Sequence, residues 1–432
     1  MSDDSNKQVD RRSFVSTTAA TAGLLILKPE LVRGTAANSA VRLGLLGCGG
    51  RGTEVSTSFA TNTAARVVAL ADLFEDQLEK GKKHFDEFAA KKGYAGIDRK
   101  LMFQGSKAYE QLAASKEVDV IQISTPGFFH VEHLDAVVNA GKHVYCEKPM
   151  GVDVRGAKRA MRIGEKAQGK LSLEVGFQIR SAPPFVELVK RIHAGALGKI
   201  ACVSAHYHAT AIEYAPRPNV SPAELRIRNW YWDKVLSGDI MVDQNIHVID
   251  ICNWVLNGHP VKAVATGGRS ARTDSGNCWG HFDVNLYYPD DVHVSFNSVQ
   301  FGKAMWEVTE RFFGSKGVAE SPYSGPIRIL GDEAWEWKGE GGATAAQPGG
   351  GNFSVTGAFT DNLEFADREK QKGFIESITS GKFHNQATLG AESALSAILA
   401  RTAAYTGREI TWDELLRSDQ AYELGMDLNK LA

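Results

Sequence analysis

The chain has 432 residues, 43% of them hydrophobic and 23% charged, with a formal net charge of −2. That length supports a large core and more than one domain. The lack of a long basic run excludes nucleic acid as the main partner. Five scattered cysteines with no C-x-x-C read as free buried thiols, not as a disulfide framework or a metal site.

Residues 1–40 read as an address and linker, outside the fold. Arg11-Arg12-Ser13-Phe14 opens an apolar run to Leu27, followed by small residues from Gly34 to Ala40. This pattern resembles a twin-arginine signal peptide. The apolar run is too short and too rich in Thr and Ala for a stable membrane span. The expectation is a periplasmic or otherwise exported protein with no stable membrane insertion after processing. That export route carries folded proteins, which suits unpaired thiols and a cofactor carried along.

Val41 to Leu46 reads as a buried strand running into Gly47-Cys48-Gly49-Gly50-Arg51-Gly52, a G-x-G-x-x-G turn at the start of a helix. Such a turn offers backbone N–H groups to a pyrophosphate. A second apolar strand ends at Asp72, 20 residues after Gly52, where a carboxylate reaches the adenosine ribose hydroxyls. A carboxylate there repels a 2′-phosphate, so NAD is favoured over NADP. Further strands end at Ser124, before Thr125, Pro126 and His130, and at Glu147-Lys148-Pro149. Strands and helices alternate, as in a doubly wound parallel sheet, and all four polar loops fall at the carboxyl ends of its strands, where such sheets bind ligands.

Downstream, Gln178 and Arg180 follow another strand. His206 and His208 share one face of a strand from Ile200, where they would bind metal or sugar, or simply form a satisfied surface pair. Arg228-Asn229-Trp230-Tyr231-Trp232 offers aromatic faces that suit either sugar C–H surfaces or core packing. Asp243 and His247 are four residues apart, so on a helix they share a face. Later strands alternate apolar and polar residues, as a one-sided antiparallel sheet requires. Gly341 to Gly351 reads as a loop, and Phe365–Ser380 and Ala391–Tyr405 as amphipathic helices.

Together, the glycine fingerprint, Ser124-Thr125-Pro126 with His130, Gly141-Lys142-His143-Val144 leading to Glu147-Lys148-Pro149, and the Asp243-x-x-x-His247 motif resemble the Gfo/Idh/MocA oxidoreductases. The resemblance implies an α/β protein: an N-terminal Rossmann dinucleotide-binding domain, then an α+β domain with an open, mostly antiparallel sheet that carries the substrate. It places the signal and linker at 1–40, the NAD-binding domain at 41–165, the substrate and oligomerisation domain at 166–385, and a returning helix and tail at 386–432. It implies catalytic roles for Lys148, Asp243 and His247, and a Lys148–Pro149 bond open to the cis form. Gln178, Arg180, His206, Trp230 and Asp243 are the candidate substrate contacts. The expected activity is hydride transfer between a sugar or polyol carbon and a tightly bound nicotinamide, in a homo-oligomer (dimer or tetramer). The alternatives are an NAD-dependent glycosidase acting by transient oxidation, and a non-enzymatic sugar sensor.

Overall fold

Six parallel strands form the first sheet: β1 (Val41–Leu46), β2 (Ala65–Asp72), β3 (Met102–Gln104), β4 (Val120–Ile123), β5 (His143–Cys146) and β6 (Leu173–Val175), in the order 3-2-1-4-5-6. This computed structural model describes residues 40–210, 212, 214–302, 306–340 and 361–431. The twin-arginine pattern and the Gly341–Gly351 loop lie outside the described residues. β1 and β4 are almost wholly buried, so they read as continuous apolar runs without alternation. The chain reverses its direction of travel across the sheet between β1 and β4, and both strands end beside the glycine turn.

The second sheet has nine strands: β7 (Ile200–Thr210), β8 (Lys262–Gly268), β9 (His281–Tyr288), β10 (Val292–Gly302), β11 (Glu307–Gly314), β12 (Gly317–Glu320), β13 (Arg328–Gly331), β14 (Trp335–Glu336) and β15 (Ile410–Thr411). Their order is 14-13-12-11-7-10-9-8-15, antiparallel except between β7 and β10. Val203, Ala205, Tyr207 and Ala209 of β7 are buried on one face, and Ala201, Cys202, Ser204 and Thr210 lie exposed. Cys202 is thus an exposed thiol, and the other four cysteines are buried. The expectation that all five are buried fails at Cys202 because strand alternation turns it outward.

The helix Ala387–Thr406 packs on Val154–Ala167 of the first layer and on β8 and Ile246–Leu256 of the second. It is not amphipathic. Fourteen of its residues are buried, mostly Ala, Ser and Gly. Small side chains let its backbone approach closely on several sides: a Cβ on Gly390 would stand 2.7 Å from Met150 Cγ. The chain beyond this helix forms Trp412–Ser418 and then a tail whose Leu424, Met426, Leu428 and Leu431 pack around Phe74, Phe129, Ile227 and Leu236.

Candidate active site

The glycine turn is shaped by steric need. Gly47 has φ +93°, and a Cβ there would meet Ser124 O at 2.6 Å; a Cβ on Gly52 would meet Gly47 O at 2.0 Å. Gly49 faces open space. It caps the helix Gly50–Asn62, which has no side-chain cap, so its first-turn N–H groups stay available to an anion. Asp72 accepts from Cys48 N (2.7 Å) and Phe74 N (3.0 Å). Burial pushes its carboxyl up, and these two N–H groups oppose that. Asp72 is therefore not the cap of the following helix; Phe74 holds that position. Cys48 contributes its backbone N–H, and its thiol is buried.

A cleft of about 250 Å³ runs from Gly47 and Gly49 past Asp72 to Thr125 and Pro126. Its wall includes Arg228, Trp230 and Leu428, contributed by the second domain and the tail. The cradle, the uncapped helix and the carboxylate at the β2 end fit a dinucleotide. Trp230 thus stands in the wall of the cleft that also holds Gly47, Gly49 and Asp72. The aromatic run divides, because its turn Trp230–Trp232 points successive rings apart: Trp232 is core, and Tyr231 is half-buried near Asp243 and Tyr207.

His130 does not face the cleft. Its ring nitrogens lie 2.9 Å from Pro149 O and 2.6 Å from Thr125 O, tying the Thr125-Pro126 turn to the Glu147-Lys148-Pro149 loop. The Lys148–Pro149 bond is cis. Lys148 Nζ donates to Asp243 O (2.5 Å) and lies 3.4 Å from Asp243 Oδ1. Asp243 and His247 do not share one helix. Ile240–Asp243 and Ile246–Leu256 are separate, joined by a widened turn in which Asn245 N reaches Ile240 O, five residues back (2.9 Å). Asn245 Nδ2 anchors that turn to Ser298 Oγ at 2.7 Å. Both side chains are buried beside Lys148. Burial pushes the Asp243 carboxyl up, with Lys148 opposing. Burial, then Lys148, Arg51 and Lys370, hold His247 well below its ordinary range, and its Nδ1 has no hydrogen-bond partner among the described residues.

A buried charge cluster closes this end. Arg51 pairs with Glu147 (2.9 Å) and Asp367 (2.9 Å), Lys370 with Asp367 (3.1 Å), and Gln178 Nε2 donates to Asp367 Oδ2 (2.8 Å). Burial opposes ionisation of Asp367, but Arg51 and Lys370 outweigh it and hold the carboxyl well below its usual range. Asp367 and Lys370 escaped the sequence reading, because they sit in a charged helix about 220 residues past Lys148. Arg401 is a second omission. Buried within the returning helix, it donates to Val152 O and Gly238 O (2.8 Å each), joining the loop after Lys148 to the loop before Asp243.

Two candidate substrate contacts lie elsewhere. Arg180 is held by Asp250 (2.8 and 2.9 Å) in a buried ion pair, with Trp254 beneath its guanidinium. His206 lies on the opposite sheet face from Tyr207, because alternate strand residues point opposite ways.

Residues 41–175 match the oxidoreductase family with an NAD-binding Rossmann fold, Gfo/Idh/MocA, and residues 185–320 match the Gfo/Idh/MocA C-terminal domain. An inositol 2-dehydrogenase of Rhizobium meliloti is 27% identical over 67% of this chain and 78% of its own length. Inositol 2-dehydrogenase 4 of Saccharopolyspora erythraea is 25% identical over 89% of this chain and 99% of its own. Among solved structures, levoglucosan dehydrogenase in complex with NADH and levoglucosan has a TM-score of 0.65 at 17% identity, covering 86% of this chain and 99% of that one. An aldose–aldose oxidoreductase of Caulobacter crescentus has a TM-score of 0.64 at 19% identity, with the same coverage. These last two likenesses carry the fold alone. With its dinucleotide cleft and the Lys148–Asp243 junction, the chain belongs to the Gfo/Idh/MocA family, oxidoreductases with an NAD-binding Rossmann fold.

Proposed function

We propose that Lys148, Asp243 and His247 carry the reaction, with NAD held at Gly47–Gly52 and Asp72 and kept between turnovers. The observation that carries this reading is the contact of Lys148 Nζ with Asp243 beside an imidazole that burial keeps neutral. Bound nicotinamide supplies the hydride acceptor for a carbinol carbon. His247, neutral at working pH, takes the hydroxyl proton. Lys148 donates to the same oxygen and stabilises its developing negative charge. Asp243 accepts from a neighbouring hydroxyl and orients the ring. The sequence relatives named inositol 2-dehydrogenase support a polyol with adjacent hydroxyls and do not favour hydrolysis.

Retention of the nucleotide is supported by the roof over the cleft. Arg228 pairs with Asp76 (2.8 Å) and lies 3.9 Å over the Phe74 ring. Arg226 Nη1 donates to Leu424 O (2.6 Å), and Ser106 Oγ to Asn429 Oδ1 (2.5 Å), so the tail straps both domains. Export through the twin-arginine route, with the nucleotide inside, fits a reaction centre that reoxidises its cofactor in place with a second carbonyl substrate. The assembly is a dimer or tetramer. Cell fractionation and light scattering test these two points; a cytoplasmic full-length chain or a monomer would overturn them.

Lys148→Ala tests the central assignment. Turnover falls at least about 10²-fold, while the purified variant still releases nicotinamide nucleotide on denaturation, read by mass spectrometry. Near-normal turnover would remove Lys148 from the chemistry.

A further inference from the structure

On the sheet face turned away from Tyr207, the rings of His206 and His208 stack with centroids 4.5 Å apart. Glu307 of β11 stands opposite His208 in register, and its Oε1 lies 3.3 Å from His206 Nε2. One ligand atom from each of the three residues falls within 4.8 Å of the others.

The neighbouring strands set the tautomer of His208. Asn297 on β10 donates through Nδ2 to Asp283 Oδ1 of β9 (2.5 Å). A carboxylate accepts, so the amide oxygen of Asn297 must be the atom facing His208. It lies 2.5 Å from His208 Nε2, which therefore carries the proton. The lone pair is left on Nδ1, which is buried and has no hydrogen-bond partner among the described residues. His206 Nε2 is likewise buried without a hydrogen-bond partner among the described residues, and the Glu307 carboxylate lies 3.3 Å from it. An imidazole backed by an amide and a carboxylate, with its second nitrogen idle, is the arrangement that orients metal-ligating histidines.

We propose that His206, His208 and Glu307 form a binding site for a divalent transition-metal ion of the zinc type, with a fourth position open to water. Two imidazoles and one carboxylate suit such an ion. Metal–ligand distances of about 2.0–2.2 Å need ligand atoms roughly 3.5 Å apart. The three ligand atoms already lie within 4.8 Å of one another, with Glu307 Oε1 3.3 Å from His206 Nε2, and the Glu307 side chain is 56% exposed. The site clips β11 to β7, and the Asp283–Asn297 pair extends it to β9 and β10. It shares no residue with the oxidoreductase centre.

The test is a titration of tag-free holoprotein with Zn²⁺ against a chromophoric chelator, repeated with Co²⁺ for its visible ligand-field absorption. One ion binds per chain. Glu307→Gln and His208→Ala each weaken binding at least about tenfold, and Asn297→Ala does so by about tenfold with all three ligands intact. Turnover of the Glu307→Gln holoenzyme stays at the wild-type level. If His208→Ala fails to fold, Glu307→Gln on its exposed side chain still decides the matter. No stoichiometric binding, or a Co²⁺ spectrum and affinity unchanged by Glu307→Gln, would overturn the proposal.

Discussion

At Asp72, burial and two backbone N–H bonds hold a carboxylate where the ribose of a dinucleotide would lie. Asp72→Ala is expected to weaken NAD binding more than NADP binding, because it removes both the hydroxyl acceptor and the charge that repels a 2′-phosphate. Equal weakening, measured by titration of both nucleotides into apoprotein, would leave Asp72 only the role of bracing the glycine turn. His247 yields a pH prediction with a definite sign. Burial and the nearby cations lower its pKa, so the imidazole stays neutral to a pH below its ordinary value of about 6.5. The acid limb of kcat/KM is expected below that value, and a limb at or above it would contradict the role as base. Much of the local geometry was legible in the sequence: the glycine turn of Gly47, Gly49 and Gly52, the carboxylate of Asp72 at the end of β2 and the Lys148–Pro149 loop all sit in local motifs. The surroundings of Arg180 and His206 were not legible, because a polar residue beyond a strand, or on one, does not declare its face or its partner. Asp250 and the alternation of β7 decided those two.

Among the elements, the buried helix Ala387–Thr406 organises the centre more than its composition indicates. Arg401 holds Val152 O and Gly238 O together, and Tyr405 Oη donates to Asp239 Oδ2 (2.6 Å) just before the Ile240–Asp243 helix. Arg401→Met keeps most of the side-chain volume and leaves two buried carbonyls unpaired, at about 1–3 kcal/mol each. The expected result is lower stability in denaturant and a lower kcat, with nucleotide binding less affected. Unchanged kcat would show that the two loops hold their positions without it. The alanine-rich pattern of this helix hid its role, since small residues read as neutral until their close packing is seen. The break between Asp243 and His247 was hidden for a related reason: four-residue spacing predicts one continuous helix, and the widened turn there is accompanied by a long-range bond from Asn245 to Ser298 on β10.

Over the whole molecule, the parallel first sheet and the mostly antiparallel second sheet followed from strand patterns and motif order, because buried parallel strands and one-faced antiparallel strands leave different periodicities. The tail from Asp413 was not readable. Its Leu424, Met426 and Leu428 look like scattered apolar residues until they meet Phe74 and Ile227 over the nucleotide cleft. Cleft, strap and the groups around Lys148 are the parts of the proposed centre, in which hydride passes from a polyol to a captive nicotinamide. The most direct measurement is to incubate the protein, purified without added nucleotide, with a panel of inositols, aldoses and aryl glycosides, and to follow the reduced-nicotinamide absorbance alongside mass analysis of the products. The account predicts about one equivalent of reduced nicotinamide per site, with a matching ketone or lactone, and no such signal from Lys148→Ala. Free aglycone without net oxidation, or equal signals from both proteins, would contradict it.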